Sequence, residues 1–320
     1  MNPPDAAVSA TSNPANKGQH GRRLRQRCVA NRWFYFLLAP FFLLFFIFGL
    51  YPLLFSLYLS FLRWDALSPA TWVGLSNFAA LAQDELFFVS LKNTLLLGLY
   101  HIPPMMLLAF VFAVLLDRQC LKLKGLWRAA VFFPAITPMV VIAIVFSLLF
   151  GAELGLVNYL WWRAAAVVGV EAGVLPWLQS ESWSKVTVSL LLVWRWTGYN
   201  MVIMLAGLQG IDRSLYEAAE VDGATRLQRL TQVTMPLMRP TFLFVFVMSM
   251  IGTVYMFDEV FVLTKGGPGV SSTNVGLFLF DEGFGAFRFG YASAAGYSVA
   301  AGLFLATLLV LKMGRKDHTA

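Results

Sequence analysis

The chain of 320 residues is long enough for two ordinary soluble domains, but 58% of it is hydrophobic and only 13% is charged, about half the roughly 25% of a soluble protein. One core cannot hide that much Phe, Leu and Val, which excludes a water-soluble globule and leaves the lipid bilayer as the second solvent. The net charge of +7 would mark a nucleic-acid binder only if the basic residues formed a surface of their own, whereas here they flank apolar runs.

Residues 1–32 are rich in Ala, Ser, Asn, Pro and basic side chains without apolar periodicity, and are predicted to be a disordered tail. A spanning helix needs about 20 mainly apolar residues, because each adds ~1.5 Å against a hydrocarbon layer ~30 Å thick. Six segments qualify: Trp33–Leu62, Leu91–Leu116, Ala129–Phe150, Val186–Gly207, Thr241–Leu263 and Tyr291–Leu311. The first exceeds the roughly 7 to 15 residues of a signal-peptide core, so it is predicted to be an uncleaved span. Pro40, Pro52, Pro103, Pro104, Pro134 and Pro138 fall inside spans, where neighbouring helices can satisfy the freed carbonyls. An all-α integral-membrane bundle of six kinked helices is therefore expected over residues 33–312, with a short tail at 313–320.

Lys and Arg collect on the cytoplasmic side of membrane proteins. Seventeen lie in the two tails and the second and fourth loops, six lie in the other loops, and Arg195 lies within a span. Both termini are thus expected in the cytoplasm of a multi-pass plasma-membrane protein, and anionic lipid headgroups account for the basic excess without nucleic acid. Cys28 and Cys120 fall in basic segments assigned to the cytoplasm, so neither a disulfide framework nor a CxxC site is expected. The longest outer loop, residues 151–185, contains Trp161, Trp162, Trp177 and Trp183, read as anchors at the outer interface.

Catalytic and cofactor signatures are missing from the sequence. No GxxxxGK[ST] loop occurs, and the glycines of Lys265-Gly-Gly-Pro-Gly269 lack the Lys-Ser/Thr and helix start that a nucleotide site uses. His20, His101 and His318 are scattered, with no HExxH or GxSxG string, so neither a metal nor a hydrolytic centre is expected. His101, beside Pro103 and Pro104, reads as a packing residue in preference to a functional polar group.

The loop at residues 208–240 is the most informative segment. Ser214 followed by Glu217 fits a capping box that starts a short helix through Glu217, Ala218, Ala219 and Val221. Gly223 permits a sharp change of direction into a second helix running to Pro236. Ala218, Ala219, Gly223 and Ala224 leave a surface that another backbone can approach, with Glu217 and Asp222 at its edge. That is the form of a docking knob.

The string Glu217-Ala-Ala219, three residues, Gly223, nine residues, Val233-x-Met235-Pro236 resembles the EAA loop of ABC importer permeases, in spacing and in its place before the penultimate span. Further strings are similar to the carbohydrate-uptake branch that includes maltose, lactose and glycerol-3-phosphate permeases. They are Trp72-Val-Gly-Leu-Ser-Asn-Phe78, Lys92-Asn-Thr94, Trp194-Arg-Trp-Thr-Gly-Tyr-Asn200, Leu263-Thr-Lys-Gly-Gly-Pro268 and Phe289-Gly-Tyr-Ala-Ser-Ala294. The resemblance covers about residues 33–312. It implies the type I ABC importer permease fold and the maltose-permease-like first subunit of a heterodimeric pair, with no catalysis and no cofactor of its own. The implied partners are a second permease, two ATPase subunits and an extracytoplasmic binding protein that delivers a carbohydrate. Coupling to the ATPase falls to Glu217, Ala218, Ala219, Asp222, Gly223, Ala224 and Pro236. An ABC permease for another solute, or an ion-coupled secondary transporter using Asp258 and Glu259, is the alternative.

Arg195 falls near mid-membrane, where a charge costs a few kcal/mol and faces the bundle interior. Two readings stand at this point. Either it lines a cavity and meets sugar hydroxyls, with Trp194, Trp196 and Tyr199 offering flat faces to the ring, or it pairs with Asp258 or Glu259. By the resemblance to maltose permease, Tyr199, Thr253 and Met256 align with sugar-contacting stretches.

Overall fold

The structure, a computed structural model, describes residues 32–118, 121–153, 155–170 and 173–316. Residues 1–31 of the tail expected over 1–32, Cys28 among them, lie outside the described residues, as do Cys120 and residues 317–320, while Arg32 already starts the first helix. The chain divides into two units, residues 1–58 and 59–320.

In the first unit, α1 (Arg32–Phe45) passes through a π-helical turn at Phe46–Leu50 into α2 (Tyr51–Leu59). Pro52 has no N–H to give, and its ring crowds the carbonyl four residues back. The wider turn just before it absorbs that crowding, with the Tyr51 N–H reaching the carbonyl of Phe46. The stretch Phe36–Tyr58 is apolar on every side and has no buried residue, Leu59 at the end of α2 being the first that is buried, the mark of a helix that faces lipid or another protein all round.

The second unit opens with a small hairpin that the all-α expectation did not include. β1 (Leu62–Arg63) pairs antiparallel with β2 (Thr71–Trp72), Leu62 opposite Trp72. α3 (Ser76–Leu81) follows, and the Asn77 amide donates to the carbonyls of Ser60 (2.8 Å) and Leu62 (2.9 Å).

α4 (Glu85–Asp117) is capped by the Asp84 carboxylate, whose Oδ1 accepts from the N–H groups of Leu86 (2.9 Å) and Phe87 (3.2 Å). It continues unbroken through Pro103 and Pro104. α8 (Glu181–Gln209) is its main neighbour, and 56% of the apolar window of α8 is buried, against 39% for α4. These two helices therefore form the centre of the unit, with Leu97, Val188 and Leu191 in one core and Ala109, Met201 and Met204 in another.

The expected third span, Ala129–Phe150, is bent far more sharply than a kink. α5 (Lys124–Ile136) and α6 (Met139–Leu149) meet at 94°. Pro138 bars helical geometry from the residue before it, and Thr137 is accordingly extended (φ −75°, ψ 137°). α7 (Leu156–Val168) occupies the long loop after them, where Asn158 holds the carbonyls of Ala152 (3.1 Å) and Leu175 (3.0 Å) and accepts from the Trp177 indole (3.0 Å). Trp177 and Trp183 pack against each other at 4.7 Å, while Trp161 and Trp162 stay exposed.

The loop after α8 contains α9 (Arg213–Val221), α10 (Arg226–Gln228), a π-helical turn at Arg229–Thr234 and α11 (Met235–Leu237). The stretch Arg226–Leu237 meets α12 (Arg239–Tyr255) at 62°. The expected fifth span, Thr241–Leu263, is corrected here: α12 ends at Tyr255, Met256 is extended, and α13 (Asp258–Leu263) starts anew. No proline or glycine marks that break. It is held from a distance, by the Asn274 amide donating to the Met256 carbonyl. Asn93 in turn donates to the carbonyls of Val270 (3.0 Å) and Thr273 (2.9 Å), and the Thr94 hydroxyl accepts from the Val275 N–H (2.9 Å).

α14 (Val275–Phe280) leads through a π-helical turn at Asp281–Gly285 to α15 (Phe289–Lys316), which extends past the predicted end at residue 311. Ala294 and Ala295 are fully buried near its start. The Tyr291 hydroxyl donates to Oδ2 of Asp84 (2.5 Å), and the Arg288 guanidinium lies 4.9 Å from the Tyr291 ring while pairing with Glu282. By length and composition the described residues contain four helices able to cross a membrane, and six if each bent pair makes one crossing.

Candidate functional site

Arg195 is the middle residue of α8, about 21 Å from either end at ~1.5 Å per residue. It borders a cavity of about 500 Å³ enclosed by α4, α8, α12 and α13. Close packing of α5 on α8 fixes one wall, because Gly198 leaves room for the Val131 carbonyl that any side chain would strike. Trp196, Tyr199, Thr253 and Met256 border the same cavity, as do Asp258 and Glu259. Trp194 does not. Its ring packs on Phe146 (5.7 Å) and is half exposed on another side of α8.

The Arg195 guanidinium donates to the carbonyl of Thr137 (3.1 Å) and to Sδ of Met139 (3.2 Å), and lies 5.4 Å from the Trp196 ring. Thr137 is the residue at which the α5–α6 pair breaks, so its carbonyl has lost its helical partner and Arg195 replaces it. Of the two readings open for Arg195, the geometry gives a third: the charge ties a broken helix to the wall of the cavity. Among the described residues no ion pair joins it to Asp258 or Glu259, and its buried Nε is without a partner.

The sequence reading set His101 aside as packing, and it does pack: Nδ1 lies 2.7 Å from the Leu97 carbonyl in a buried setting. Its Nε2 faces the Thr253 hydroxyl at 3.5 Å, and the residue also borders the cavity. Asn200, not singled out before, borders it too, with its amide on the Trp196 carbonyl (3.0 Å). Both residues lie on the helix faces where α4 and α8 meet, a pairing that a single-helix reading does not reveal.

The loop at 208–240 is built differently at its start than expected. The cap of α9 is Asp212, whose Oδ1 accepts from the Ser214 N–H (2.9 Å), so the predicted Ser214 cap is corrected. Two hydrogen bonds from Ser214 hold the Asp212 carboxyl below the usual Asp range: the larger effect is that of the Ser214 N–H, with the Ser214 hydroxyl adding to it. The C-terminus closes in a Schellman motif, with Gly223 at φ +78° and bonds from Gly223 N–H to the Glu220 carbonyl (3.0 Å) and from Ala224 N–H to the Ala219 carbonyl (2.9 Å). A true capping box starts the next helix, between Thr225 and Gln228. Glu220 then pairs with Arg229 (2.9 Å), and the Tyr216 and Thr234 hydroxyls meet at 3.0 Å. Pro236 follows a π-helical turn, as Pro52 does. No residue of α9 is buried, and Glu217, Ala218, Asp222 and Gly223 are all exposed.

The family model for the binding-protein-dependent transport system inner membrane component matches residues 105–314. The chain belongs to this family. It is 34% identical over 292 residues to the lactose transport system permease protein LacF of Rhizobium radiobacter, covering 90% of this chain and 95% of that protein. It is 32% identical to the arabinooligosaccharides transport system permease protein AraP of Bacillus subtilis, covering 87% of each. A chain in the crystal structure of a bacterial alginate ABC transporter, in complex with an alginate pentasaccharide-bound periplasmic protein, shares the fold at a TM-score of 0.78 and 23% identity, over 93% of this chain and 99% of that one. The resemblance read from the EAA loop is thereby upheld, and the permease has the type I ABC importer fold.

Proposed function

We propose that the permease forms one half of the translocation pathway of an ATP-driven carbohydrate importer in the bacterial inner membrane, with both termini in the cytoplasm. Its partners are a second permease, two ATPase subunits that bind and hydrolyse ATP, and an extracytoplasmic binding protein that delivers the sugar. Relatives named for lactose and arabinooligosaccharide transport support the substrate class. The single observation that carries the reading is the loop at 208–240, with no buried residue on α9 and tied internally by the Schellman turn, the Glu220–Arg229 pair and the Tyr216–Thr234 contact. A knob so braced moves as a unit when a partner grips it, and the 62° bend passes that motion to α12. Glu217, Ala218, Ala219, Asp222, Gly223 and Ala224 form its contact surface, and Pro236 lies in the last turn of the helical stretch Arg226–Leu237.

In the cavity, Arg195 and Asn200 offer donors, Asp258 and Glu259 offer acceptors, and Trp196 and Tyr199 offer flat faces. Sugar hydroxyls take both kinds of hydrogen bond, and a pyranose ring stacks its C–H face on an aromatic ring. The permease performs no chemistry on its cargo: it exposes the cavity to one side and then the other.

Uptake of radiolabelled oligosaccharides into inverted and right-side-out membrane vesicles tests this reading. Import that requires ATP and survives a protonophore upholds it. Import that collapses with the protonophore while ATP is maintained assigns the permease to ion-coupled transport instead.

A further inference from the structure

A second large cavity has no part in the transport reading. It holds about 770 Å³ where the ends of α4 and α8 meet the loop at 208–240. Five cations border it, Arg118, Lys124, Arg213, Arg226 and Arg229, against one carboxylate, Asp117. They come from separate stretches of chain, so the fold, not a basic run, gathers them. Two are already engaged: Arg229 pairs with Glu220 (2.9 Å) and the Lys124 ammonium donates to the Asp117 carbonyl (3.3 Å). Arg118, Arg213 and Arg226 form no ion pair among the described residues.

Like charges brought together raise each other's free energy, and an anion in their midst removes that cost. A guanidinium is the side chain best shaped for such an anion, because its planar fork meets two phosphate oxygens at once. The cavity also has an apolar floor, formed by Val114, Leu208, Ile211, Leu227 and Leu230. A cationic rim over an apolar floor, at the membrane face that carries the basic excess, is the chemistry that takes a phosphate group beside hydrocarbon.

We propose that this cavity binds a phosphate group, carried either by an anionic phospholipid or by a small phosphorylated solute. Tyr216 and Thr234, the pair that ties α9 to the turn after it, border the same space. A phosphate held there touches the bundle and the loop together, and braces one against the other.

The test uses the full chain in nanodiscs and reads binding, so it stands or falls separately from the transported solute. In the lipid arm, nanodiscs of phosphatidylcholine mixed with phosphatidylglycerol are dissolved, and native mass spectrometry counts the phosphatidylglycerol retained. In the solute arm, inorganic phosphate is titrated into nanodiscs of phosphatidylcholine alone, and the thermal unfolding midpoint is followed against sodium chloride of equal ionic strength. Retained phosphatidylglycerol identifies the lipid source, and a phosphate-dependent rise in midpoint identifies the solute source. In either case R118Q/R226Q weakens binding about tenfold, a loss of ~1.4 kcal/mol, without lowering the midpoint in phosphatidylcholine. Each single Arg→Gln change, Arg213→Gln included, is read in the same way, so a misfolded variant does not remove the test. Absence of both signals in the wild type, or undiminished binding in every folded variant, overturns the proposal.

Discussion

The Arg195 guanidinium sits 3.1 Å from the carbonyl oxygen of Thr137, at the point where α5 and α6 meet at 94°. A charge in the middle of one helix thus completes the broken backbone of another. Replacing Arg195 by Leu leaves that carbonyl without a partner, at a cost of ~1–3 kcal/mol. Arg195→Gln, which keeps a donor, costs less. Thermal unfolding in detergent checks the order wild type, Gln, Leu; equal midpoints for all three would show that the contact contributes nothing.

Glu217→Lys reverses a charge on the exposed face of α9, and Gly223→Ala forces a side chain into a left-handed position (φ +78°) at about 1 kcal/mol. We expect Glu217→Lys to abolish uptake and Gly223→Ala to reduce it several-fold, while both proteins remain in the membrane. The measurement is ATP-driven uptake normalised to permease content by immunoblot. Wild-type uptake by Glu217→Lys removes the loop from the coupling route.

Trp194 and Trp196 are two residues apart, but only Trp196 borders the cavity. Trp196→Ala is expected to raise the KM for import about tenfold, in line with the loss of an aromatic stacking face worth ~1.4 kcal/mol. Trp194→Ala leaves KM unchanged and lowers stability through its contact with Phe146. Equal effects on KM would show that the cavity is not the sugar path.

Asp212 titrates below the usual Asp range because it caps α9. A depressed carboxyl pKa stabilises the folded helix above the unfolded value, about 3.9, and that contribution is lost as pH falls through the folded value. Hydrogen exchange of the 212–222 segment, corrected for the intrinsic pH effect, should therefore accelerate between about pH 4 and more acidic solution in the wild type. In Asp212→Asn the cap cannot titrate, and this acceleration should vanish.

Much of the architecture was legible because lipid imposes one rule, that long apolar runs must be helices. The Gly223 turn and the helix to Pro236 followed from local chemistry alone. What escaped notice was settled by distant partners. Met256 ends α12 with no proline or glycine within three residues, and Asn274, eighteen positions away, takes its carbonyl. Asp212 displaced Ser214 as the cap since both residue types suit that position, and only the backbone decides which side chain reaches an N–H. Arg195 sits at the middle of α8, yet its partner is a backbone oxygen, which no side-chain pattern discloses.

Asp84 uses one oxygen to cap α4 and the other to receive the Tyr291 hydroxyl from α15. The second and last crossings are consequently clasped at one end through a single carboxylate. Any motion that parts these helices there must expose the first-turn N–H groups of α4 or strand the phenol. Parting them at the opposite end breaks neither bond. The pair is thus built to splay like tongs, with Asp84 as the rivet.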